Sequence, residues 1–284
     1  MAIKEHLDPY PRLDPALLKT EFTGKSVLIT GGGYGIGASI AKSFASANVS
    51  SIILIGRTEA PLRSTSASLS TSFPNAKITY HKVDITSKTD VEALFNSLSS
   101  PPDILVNNAG ALAKPVNFVD ADLDEFWDVF KTNVYGTALV TQTFLRHRKA
   151  QEGSETAEPA AILTLNTIGA YSVRLPNLAS YAASKAALAR FSEIIGSDIP
   201  ETTARLISIH PGAVNTDMNV KSGLAGAFPE TDVKLAADFV AWAASEEASF
   251  LAGRFVWVHW DVDELVQKKE EILERDLFRT SLSM

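Results

Sequence analysis

A tyrosine and a lysine, Tyr181 and Lys185, have the spacing that most clearly suggests chemistry in this sequence. They lie in the helix-like stretch Leu178–Phe191, and residues at i and i+4 share one face of a helix. A neighbouring ammonium stabilises a phenolate, so the spacing predicts a tyrosine pKa below its reference value of about 10. Such a tyrosine could give a proton to a carbonyl oxygen, or take one from an alcohol, near neutral pH. Pairs of this kind also occur by chance on helix surfaces, so the interpretation depends on the rest of the chain.

A glycine-rich stretch, Thr30–Gly37 (TGGGYGIG), offers a second kind of chemistry. It directly follows the strand-like run Ser26–Thr30 and precedes a helical stretch. Glycine permits unusual φ angles and close backbone approach, and a helix N-terminus presents free N–H groups to a phosphate. The spacing G-x-x-x-G-x-G is not the commoner G-x-G-x-x-G, and a flexible turn is the alternative, but the strand–turn–helix context favours a dinucleotide site. The expected contacts are Gly31, Gly33, Tyr34, Gly35, Ile36 and Gly37.

The end of the second strand-like run bears on which dinucleotide would bind. An Asp or Glu about 20 residues beyond the glycines would bond the ribose hydroxyls of NAD and repel a 2′-phosphate. That place holds Gly56, followed by Arg57 and Thr58. The guanidinium of Arg57 could pair with the 2′-phosphate, although capping of nearby carbonyl groups is an alternative use. The sequence therefore favours NADP over NAD, with Arg57 and Thr58 as contacts.

These residues need a scaffold that brings them together, and hydrophobic patterning predicts one. Runs rich in Val, Ile and Leu, as in strands buried on both faces of a parallel sheet, alternate with amphipathic stretches. The predicted strands are Ser26–Thr30, Ser51–Gly56, Lys77–Val83, Ile104–Asn107, Ala160–Leu165, Arg205–His210 and Arg254–Val258. The predicted helices are Ile36–Ala47, Ala60–Ser72, Thr89–Leu98, Leu123–His147, Leu178–Asp198 and Asp232–Ser245. This alternation predicts an α/β fold, a doubly wound parallel sheet of the Rossmann type in a single domain.

Three segments depart from the alternation. Residues 1–24 contain three prolines and are expected to form an N-terminal extension over the surface of the domain, which covers residues 25–260. The polar stretch Gln151–Pro159 is typical of an exposed loop. Residues 261–284 are predicted to form a helical tail, because Asp261–Leu277 places apolar residues at helical spacing among charges.

Composition excludes several classes of protein. Lys and Arg total 26 against 33 Asp and Glu, and a net charge of −7 without a basic stripe argues against a nucleic-acid or anionic-membrane partner. The absence of cysteine rules out disulfides, thiolate nucleophiles and cysteine zinc sites. The five histidines have no metal-ligand spacing, so no metal is expected. With no targeting segment or membrane-spanning run, a soluble cytoplasmic protein is the simplest expectation.

From Lys25 to about Val258, the sequence resembles the short-chain dehydrogenase/reductase family, because six motifs of that family occur in it in the same order. The stretch Gly253–Asp261 resembles the corresponding part of fungal members of the family. The matching motifs are the glycine loop, Asp84 after the third strand, Asn107–Gly110 (NNAG), Asn133, the Tyr181–Lys185 pair, and Pro211–Gly212 with Val214 and Thr216. The resemblance implies cofactor contacts at Asp84, Asn108, Ala109, Gly110, Lys185, Pro211, Gly212, Val214 and Thr216, besides the glycine loop, Arg57 and Thr58.

The sequence departs from the family at one catalytic position. The serine that usually stands 13 residues before the tyrosine is replaced by Ile168, which has no polar group. The matching residue is then Thr167, 14 residues before Tyr181, with one residue inserted in the following loop. A threonine hydroxyl can still bond a substrate oxygen, although its methyl group narrows the pocket. The alternative is a structural Thr167 and a weakened site.

The resemblance implies an NADP-dependent oxidoreductase that acts on a carbonyl or a secondary alcohol. Thr167 would hold the substrate oxygen, Tyr181 would transfer the proton, Lys185 would tune the tyrosine and bind the ribose, and Asn133 would position a water. Two alternatives remain: a redox-neutral isomerase or cyclase that keeps the cofactor as a scaffold, and a non-catalytic nucleotide sensor. The substrate is expected to be a small molecule bound by Ala111–Val116, Gly169–Asn177 and the lid-like Asp217–Pro229.

The resemblance also implies a homodimer or homotetramer. In this family the helices that match Leu123–His147 and Leu178–Asp198 commonly form a two-fold interface, and two-fold dimers are the commonest assembly of soluble proteins.

Overall fold

The computed structural model describes residues 2–151, 158–171 and 174–281. Its strands are β1 (Ser26–Thr30), β2 (Ser51–Gly56), β3 (Lys77–Lys82), β4 (Ile104–Asn107), β5 (Ala160–Leu165), β6 (Ala204–His210) and β7 (Phe255–Trp257). They form one parallel sheet in the order β3-β2-β1-β4-β5-β6-β7. The predicted doubly wound parallel sheet is therefore confirmed, and its strand ends differ from the predicted ones by at most one residue.

Helices cover both faces of this sheet. The helices are α1 (Lys19–Phe22), α2 (Gly35–Ser46), α3 (Glu59–Ser72), α4 (Lys88–Ser97), α5 (Leu123–Phe130), α6 (Thr137–Gln151), α7 (Ala179–Asp198), α8 (Asp217–Ser222), α9 (Val233–Ala243), α10 (Val262–Gln267) and α11 (Lys269–Glu274). Successive side chains of β1 enter opposite layers: Val27 and Ile29 pack in one apolar cluster and Leu28 packs in the other. Two-sided burial explains why these strands are almost continuous in aliphatic residues.

The order of the strands determines where a ligand can bind. β1 pairs with β2 on one side and with β4 on the other, so the chain changes direction across the sheet between β1 and β4. The loops that leave these two strands diverge to opposite faces, which leaves a crevice at their carboxyl ends. The glycine loop follows β1, and the Asn107–Gly110 motif begins at the end of β4.

The predicted continuous helix Leu123–His147 is wrong in its middle. α5 passes into a π-helical turn, Lys131–Gly136, before α6 begins. The wider turn contains the buried Asn133, and its Gly136 lies so close to Ile85 that a Cβ there would stand 2.8 Å from Cγ1 of Ile85. Such turns are frequent at functional sites because they re-aim one side chain within a helix.

The C-terminal segment also differs from its prediction as one amphipathic helix. It forms α10 and α11, separated at Lys268, whose backbone (φ −93°, ψ 9°) leaves the helical region. Val262, Leu265 and Ile272 are all fully buried, so the apolar pattern was interpreted correctly although the helix is broken.

The N-terminal segment is more than a surface extension. Two 3₁₀ turns and α1 precede the first strand. They bury Leu13 and Phe22 in the larger of the two apolar clusters, the one that contains Val27 and Ile29 and is called the main apolar cluster below. A residue as large as Phe22, fully buried 5.8 Å from the ring of Phe44, joins this segment to α2.

Most of Gln151–Pro159, predicted as an exposed loop, lies outside the described residues. Among the described residues, no helix combines the length and the apolar character that crossing a bilayer requires. In those same parts of the chain, no group of three or more His, Cys, Asp or Glu side chains could hold a metal ion.

We expect Phe22→Ala to lower the free energy of unfolding by about 3–5 kcal/mol, because it removes a fully buried ring and leaves a cavity. The matched control is Leu17→Ala in the same segment, where the side chain is 63% exposed and a change within about 0.5 kcal/mol is expected. Urea titrations of both variants measure the two values. Equal, small losses would mean that residues 2–24 do not belong to the cooperative core.

Candidate active site

A cleft with a volume of about 540 Å³ opens at the carboxyl ends of β1 and β4. One end is lined by the glycine loop, Arg57 and Asp84, and the other by Tyr181 and Lys185. Of the predicted site residues, the cleft is lined by Gly31, Gly33, Tyr34, Gly35, Ile36, Arg57, Thr58, Asp84, Asn108, Ala109, Gly110, Tyr181, Lys185, Pro211 and Thr216. The structure therefore brings together residues from six separate parts of the sequence in one continuous depression.

The glycine loop needs its glycines at the positions closest to other backbone atoms. Gly31 and Gly35 have positive φ angles of 66° and 57°, which most side chains avoid. A Cβ at Gly37 would lie 2.3 Å from the carbonyl oxygen of Gly31, so only glycine lets α2 start this close to the loop. The loop thus brings the N-terminus of α2 to the cleft, where its free N–H groups can meet phosphate oxygens.

Asn108 ties the glycine loop to the neighbouring strand end. Its amide Nδ2 donates to the carbonyl oxygens of Thr30 and Gly31, at 3.0 and 3.1 Å. In return, the Thr30 hydroxyl accepts from the backbone N–H groups of Asn108 and Ala109, at 3.0 and 2.9 Å. These four hydrogen bonds fix the floor of the cleft, and they explain why an asparagine and a threonine stand at these positions.

A charged pair lies at the same end of the cleft as the glycine loop, where the adenosine ribose of a dinucleotide would bind. Arg57 and Thr58 are exposed at the end of β2, and Asp84 follows β3. Burial alone would raise the pKa of Asp84, but two bonds from Thr86 at 2.8 Å and the charges of Arg57 and Lys131 outweigh it and hold the pKa below its ordinary value. Asp84 is therefore an ionised acceptor near the guanidinium of Arg57.

Asn133 is fully buried in the π-helical turn, and its side-chain amide positions the backbone of the loop after β4. Its Oδ1 accepts from the N–H of Ala111 at 2.7 Å, and its Nδ2 donates to the Ala111 carbonyl at 3.0 Å and to Oγ of Ser184 at 2.9 Å. A Cβ at Gly110 would lie 3.4 Å from Oδ1 of Asn133 and 3.7 Å from Nζ of Lys185, so both polar atoms face the same glycine. Asn133 thus joins the loop after β4 to the helix of the tyrosine and lysine.

Lys185 is almost completely buried, at 4% exposure, on the inner face of α7. Its Nζ donates to the carbonyl oxygen of Leu165, at the end of β5, at 2.7 Å. Because burial disfavours the ammonium, the pKa of Lys185 falls to about 8. The lysine is therefore poised to change its charge close to neutral pH.

Tyr181 does not show the lowered pKa that the spacing to Lys185 predicts. Burial of the phenol raises the pKa of Tyr181 to about 12, and the bond with the Thr167 side chain lowers it only in part. The ammonium of Lys185 is held by Leu165 and adds no resolved effect on the phenol. Desolvation outweighs the expected charge effect, so the prediction of a lowered pKa is wrong for this geometry.

The hydroxyl beside Tyr181 belongs to Thr167, which stands directly before a 3₁₀ turn, Ile168–Ala170. Its Oγ1 also accepts from the backbone N–H of Gly169 at 3.2 Å. These bonds direct the threonine towards the phenol, whereas Ile168 has no polar atom in its side chain to offer.

Five predicted site residues do not form the wall of the cleft. Asn133 and Gly37 lie behind the wall of the cleft and support it, and Thr167 contacts the cleft through its hydrogen bond with Tyr181. Gly212 has φ +81° and packs on Thr231, where a Cβ would lie 2.1 Å from Oγ1, so its role in this structure is to form a tight turn. Val214 is buried in the main apolar cluster, with its side chain away from the cleft.

Sequence reasoning missed the individual residues of the short helix α8, which borders the cleft with Met218 and Lys221. Nζ of Lys221 donates to the carbonyl oxygen of Leu112 across the opening at 2.5 Å. A signal was present: Thr216 caps the helix through its bond from the Asn219 N–H, and Gly223 ends it in the left-handed conformation. The stretch Asp217–Pro229, interpreted only as a lid, thus begins with a helix.

Comparison with known proteins agrees with the fold. The family model described as short chain dehydrogenase matches residues 25–225. The short chain dehydrogenase mpl6 of Monascus purpureus is 33% identical over 98% of this chain and 95% of its own length. The short chain dehydrogenase/reductase AacuD of Aspergillus aculeatus is 31% identical over 89% of this chain and 86% of its own.

Solved structures show the same fold. An NAD⁺-bound xylitol dehydrogenase superimposes with a TM-score of 0.74 at 22% identity, over 85% of this chain and 100% of its own. A short chain dehydrogenase from Burkholderia cenocepacia in complex with NADP gives 0.74 at 24% identity, over 85% and 99%. With the glycine loop, the Asn107–Gly110 motif and the tyrosine–lysine pair around one cleft, this chain belongs to the short-chain dehydrogenase family of oxidoreductases.

Proposed function

We propose that this protein is an NADP-dependent oxidoreductase that transfers a hydride between the nicotinamide and a carbonyl or secondary alcohol of a small molecule. One observation carries the proposal: a phenol, a hydroxyl and a buried amine lie at one end of a cleft whose other end is a phosphate-binding type of loop. Tyr181, Thr167 and Lys185 are the three groups.

The residues of the cleft suit a nicotinamide dinucleotide. The crowding at Gly31 and Gly37 leaves the N-terminus of α2 open to a pyrophosphate, Asp84 supplies an ionised acceptor, and Arg57 supplies a charged donor. Lys185 lies at the far end, where it would hold the nicotinamide ribose hydroxyls. When bound, the cofactor supplies the hydride, and the protein supplies position and charge.

The phenol of Tyr181 is the proton donor in the reducing direction. A phenol with a pKa of about 12 stays protonated at neutral pH, yet it readily protonates an alkoxide, whose parent hydroxyl has a pKa closer to about 16. Oγ1 of Thr167 would bond the substrate oxygen and orient it toward Oη of Tyr181. Lys185 bonds Leu165 in this structure, and it would stabilise the phenolate that the transfer leaves behind only once it exchanges that bond for the nicotinamide ribose.

The first prediction concerns the cofactor: NADPH should bind more tightly than NADH, because Arg57 can pair with the 2′-phosphate and Gly56 offers no carboxylate to repel it. We expect Arg57→Ala to weaken the binding of NADPH by about 1.5–3 kcal/mol, the contribution of one charge-assisted hydrogen bond, and to leave the affinity for NADH almost unchanged. Fluorescence titration of both cofactors measures this difference. Arg275→Ala, an exposed arginine in the C-terminal segment, is the control. Equal affinities of the wild type for both cofactors would contradict the assignment.

The second prediction concerns the proton donor. Tyr181→Phe should abolish turnover, whereas the affinity for NADPH should stay within roughly twofold of wild type, because the variant loses only one hydroxyl group. Lys185→Ala should damage both properties, because the amine serves the tyrosine and the ribose. Tyr80→Phe in β3, far along the sheet from Tyr181, is the matched control and should keep full activity. A Tyr181→Phe variant that retains most of the wild-type kcat would remove this tyrosine from the mechanism.

The third prediction concerns the unusual threonine: Thr167→Val should keep the fold and NADPH affinity but lower kcat/KM by about 10²–10³, the usual loss for one oxyanion-type donor. Thr167→Ser should stay active, because its hydroxyl remains. Ile168→Val should be nearly silent, since Ile168 has no group that can bond the substrate. Wild-type turnover by Thr167→Val would instead show that the displaced hydroxyl is structural and that another group bonds the substrate oxygen.

We also propose that two copies of this chain pair through α5, α6 and α7. The outer surface here exposes large apolar side chains: Leu123 (56%), Trp127 (60%), Tyr135 (48%) and Ile194 (50%). α5 begins with acidic residues and α6 ends with basic ones, so a two-fold, antiparallel arrangement would place opposite charges together. A second copy of the same surface is the occupant that satisfies both properties.

Light scattering at micromolar concentration should therefore give a dimer or tetramer, and Trp127→Glu should convert it to smaller species by placing a charge in the apolar contact. Leu17→Glu, with 63% exposure in the N-terminal segment, is the matched control and should leave the assembly intact. A monomeric wild type, or equal dissociation by both variants, would argue against this interface.

A further inference from the structure

The turn that carries Thr167 is tied to β6 by the backbone N–H of Asn166, which donates to the Ile209 carbonyl at 2.7 Å, and beyond that bond it is held largely by side chains. Three successive backbone N–H groups each donate to a side-chain atom: Thr167 to Oδ1 of Asn166 at 2.9 Å, Ile168 to Nδ1 of His210 at 3.3 Å, and Gly169 to Oγ1 of Thr167 at 3.2 Å. Two of these acceptors are local to the turn. His210 is the one of the three that belongs to another strand, so it fixes the turn relative to the sheet.

His210 is built into the structure as a neutral, oriented acceptor. It ends β6 at 7% exposure, and the rings of Trp257 and His259 meet it edge-on at 5.5 and 5.9 Å, which defines the plane of the imidazole. Burial and the neighbouring His259 lower the pKa of His210 to about 3, so the ring is uncharged at neutral pH. Because the Ile168 N–H points at Nδ1, the proton of the ring must be on Nε2.

The second histidine is itself fixed from the far side. Oγ1 of Thr231 accepts from the backbone N–H of Ala213 at 3.1 Å and bonds Nε2 of His259 at 2.7 Å. His259 therefore cannot rotate freely against His210, and the imidazole of His210 remains aligned with the Ile168 peptide. A chain of fixed groups thus leads from the loop after β6 to the turn before the tyrosine helix.

We propose that His210 is a positioning residue of the active site: it fixes the Ile168 peptide through Nδ1 and thereby holds the Thr167 hydroxyl against the phenol of Tyr181. The inference rests on the proposed function, in which Thr167 bonds the substrate oxygen. The peptide whose N–H donates to His210 joins Thr167 to Ile168, so its orientation fixes the ψ angle of Thr167 and, with it, the position of the threonine relative to the turn. The histidine touches neither substrate nor cofactor in this scheme and acts through the threonine.

The test compares three variants at one position. His210→Asn keeps an acceptor, Oδ1, at the place of Nδ1; His210→Gln moves the acceptor one bond further out; and His210→Leu removes it. Each is made in the wild type and in Thr167→Val, and NADPH-dependent reduction of phenanthrenequinone gives kcat and KM. Hydrogen exchange of the peptide that contains Ile168, followed by mass spectrometry, reports on the hydrogen bond without any turnover.

We expect His210→Leu and His210→Gln to lower kcat by about 3- to 10-fold, the effect of one neutral hydrogen bond, with KM for NADPH unchanged. His210→Asn should restore kcat and slow exchange at Ile168, and the comparison of Asn with Gln stands even if the leucine variant fails to fold. In the Thr167→Val background the same changes should have no further effect on kcat, because the group through which His210 acts is gone.

Different outcomes separate the two claims. Equal losses of kcat in both backgrounds, or unchanged exchange at Ile168 in His210→Gln, would overturn the positioning role while leaving the proposed function intact. A silent Thr167→Val variant would overturn the role of the threonine in the proposed function, and the positioning role would fall with it.

Discussion

The exchange of hydrogen bonds between Thr30 and Asn108 is the constraint on which the cleft depends. Two parallel strands whose chains leave in opposite directions would otherwise diverge at their ends, and the crevice between them would have no defined floor. The amide of Asn108 holds the carbonyls of the glycine loop, and the hydroxyl of Thr30 holds the backbone after β4. The glycine loop and the backbone after β4, which form the floor of the cleft, are positioned by this junction.

A similar solution recurs at the catalytic end, where buried polar side chains bond to backbone groups that the sheet leaves free. Asn133 holds Ala111, Lys185 holds Leu165, and Thr167 holds Gly169. Each bond satisfies a backbone group that would be costly to bury alone, and each places a functional atom beside the cleft. Stability and chemistry thus depend on the same contacts, which explains why the polar groups converge although they come from distant parts of the chain.

The sequence was sufficient where a pattern is local. Short runs rich in strand-favouring residues predicted all seven strands, and the glycine spacing predicted the loop after β1. The sequence was insufficient where contacts between distant parts of the chain determine the local structure. The π-helical turn exists because Asn133 reaches Ala111 and Ser184, neither of which a helical pattern can anticipate. The pKa of Tyr181 moved opposite to the prediction because burial of the phenol, a property of the folded cleft, exceeds the influence of a lysine that bonds elsewhere.

The central claim is that hydride passes between the cofactor and a substrate carbon while Tyr181 supplies the proton. Reduction of acetophenone, whose secondary alcohol product keeps the transferred hydrogen on carbon, with NADPH deuterated at the transferable position of the nicotinamide tests it most directly. The product carbon should carry one deuterium for each NADPH oxidised, and Tyr181→Phe should give no labelled product. An alcohol product whose carbinol carbon carries no deuterium would contradict this mechanism, because the hydride would then not come from the cofactor.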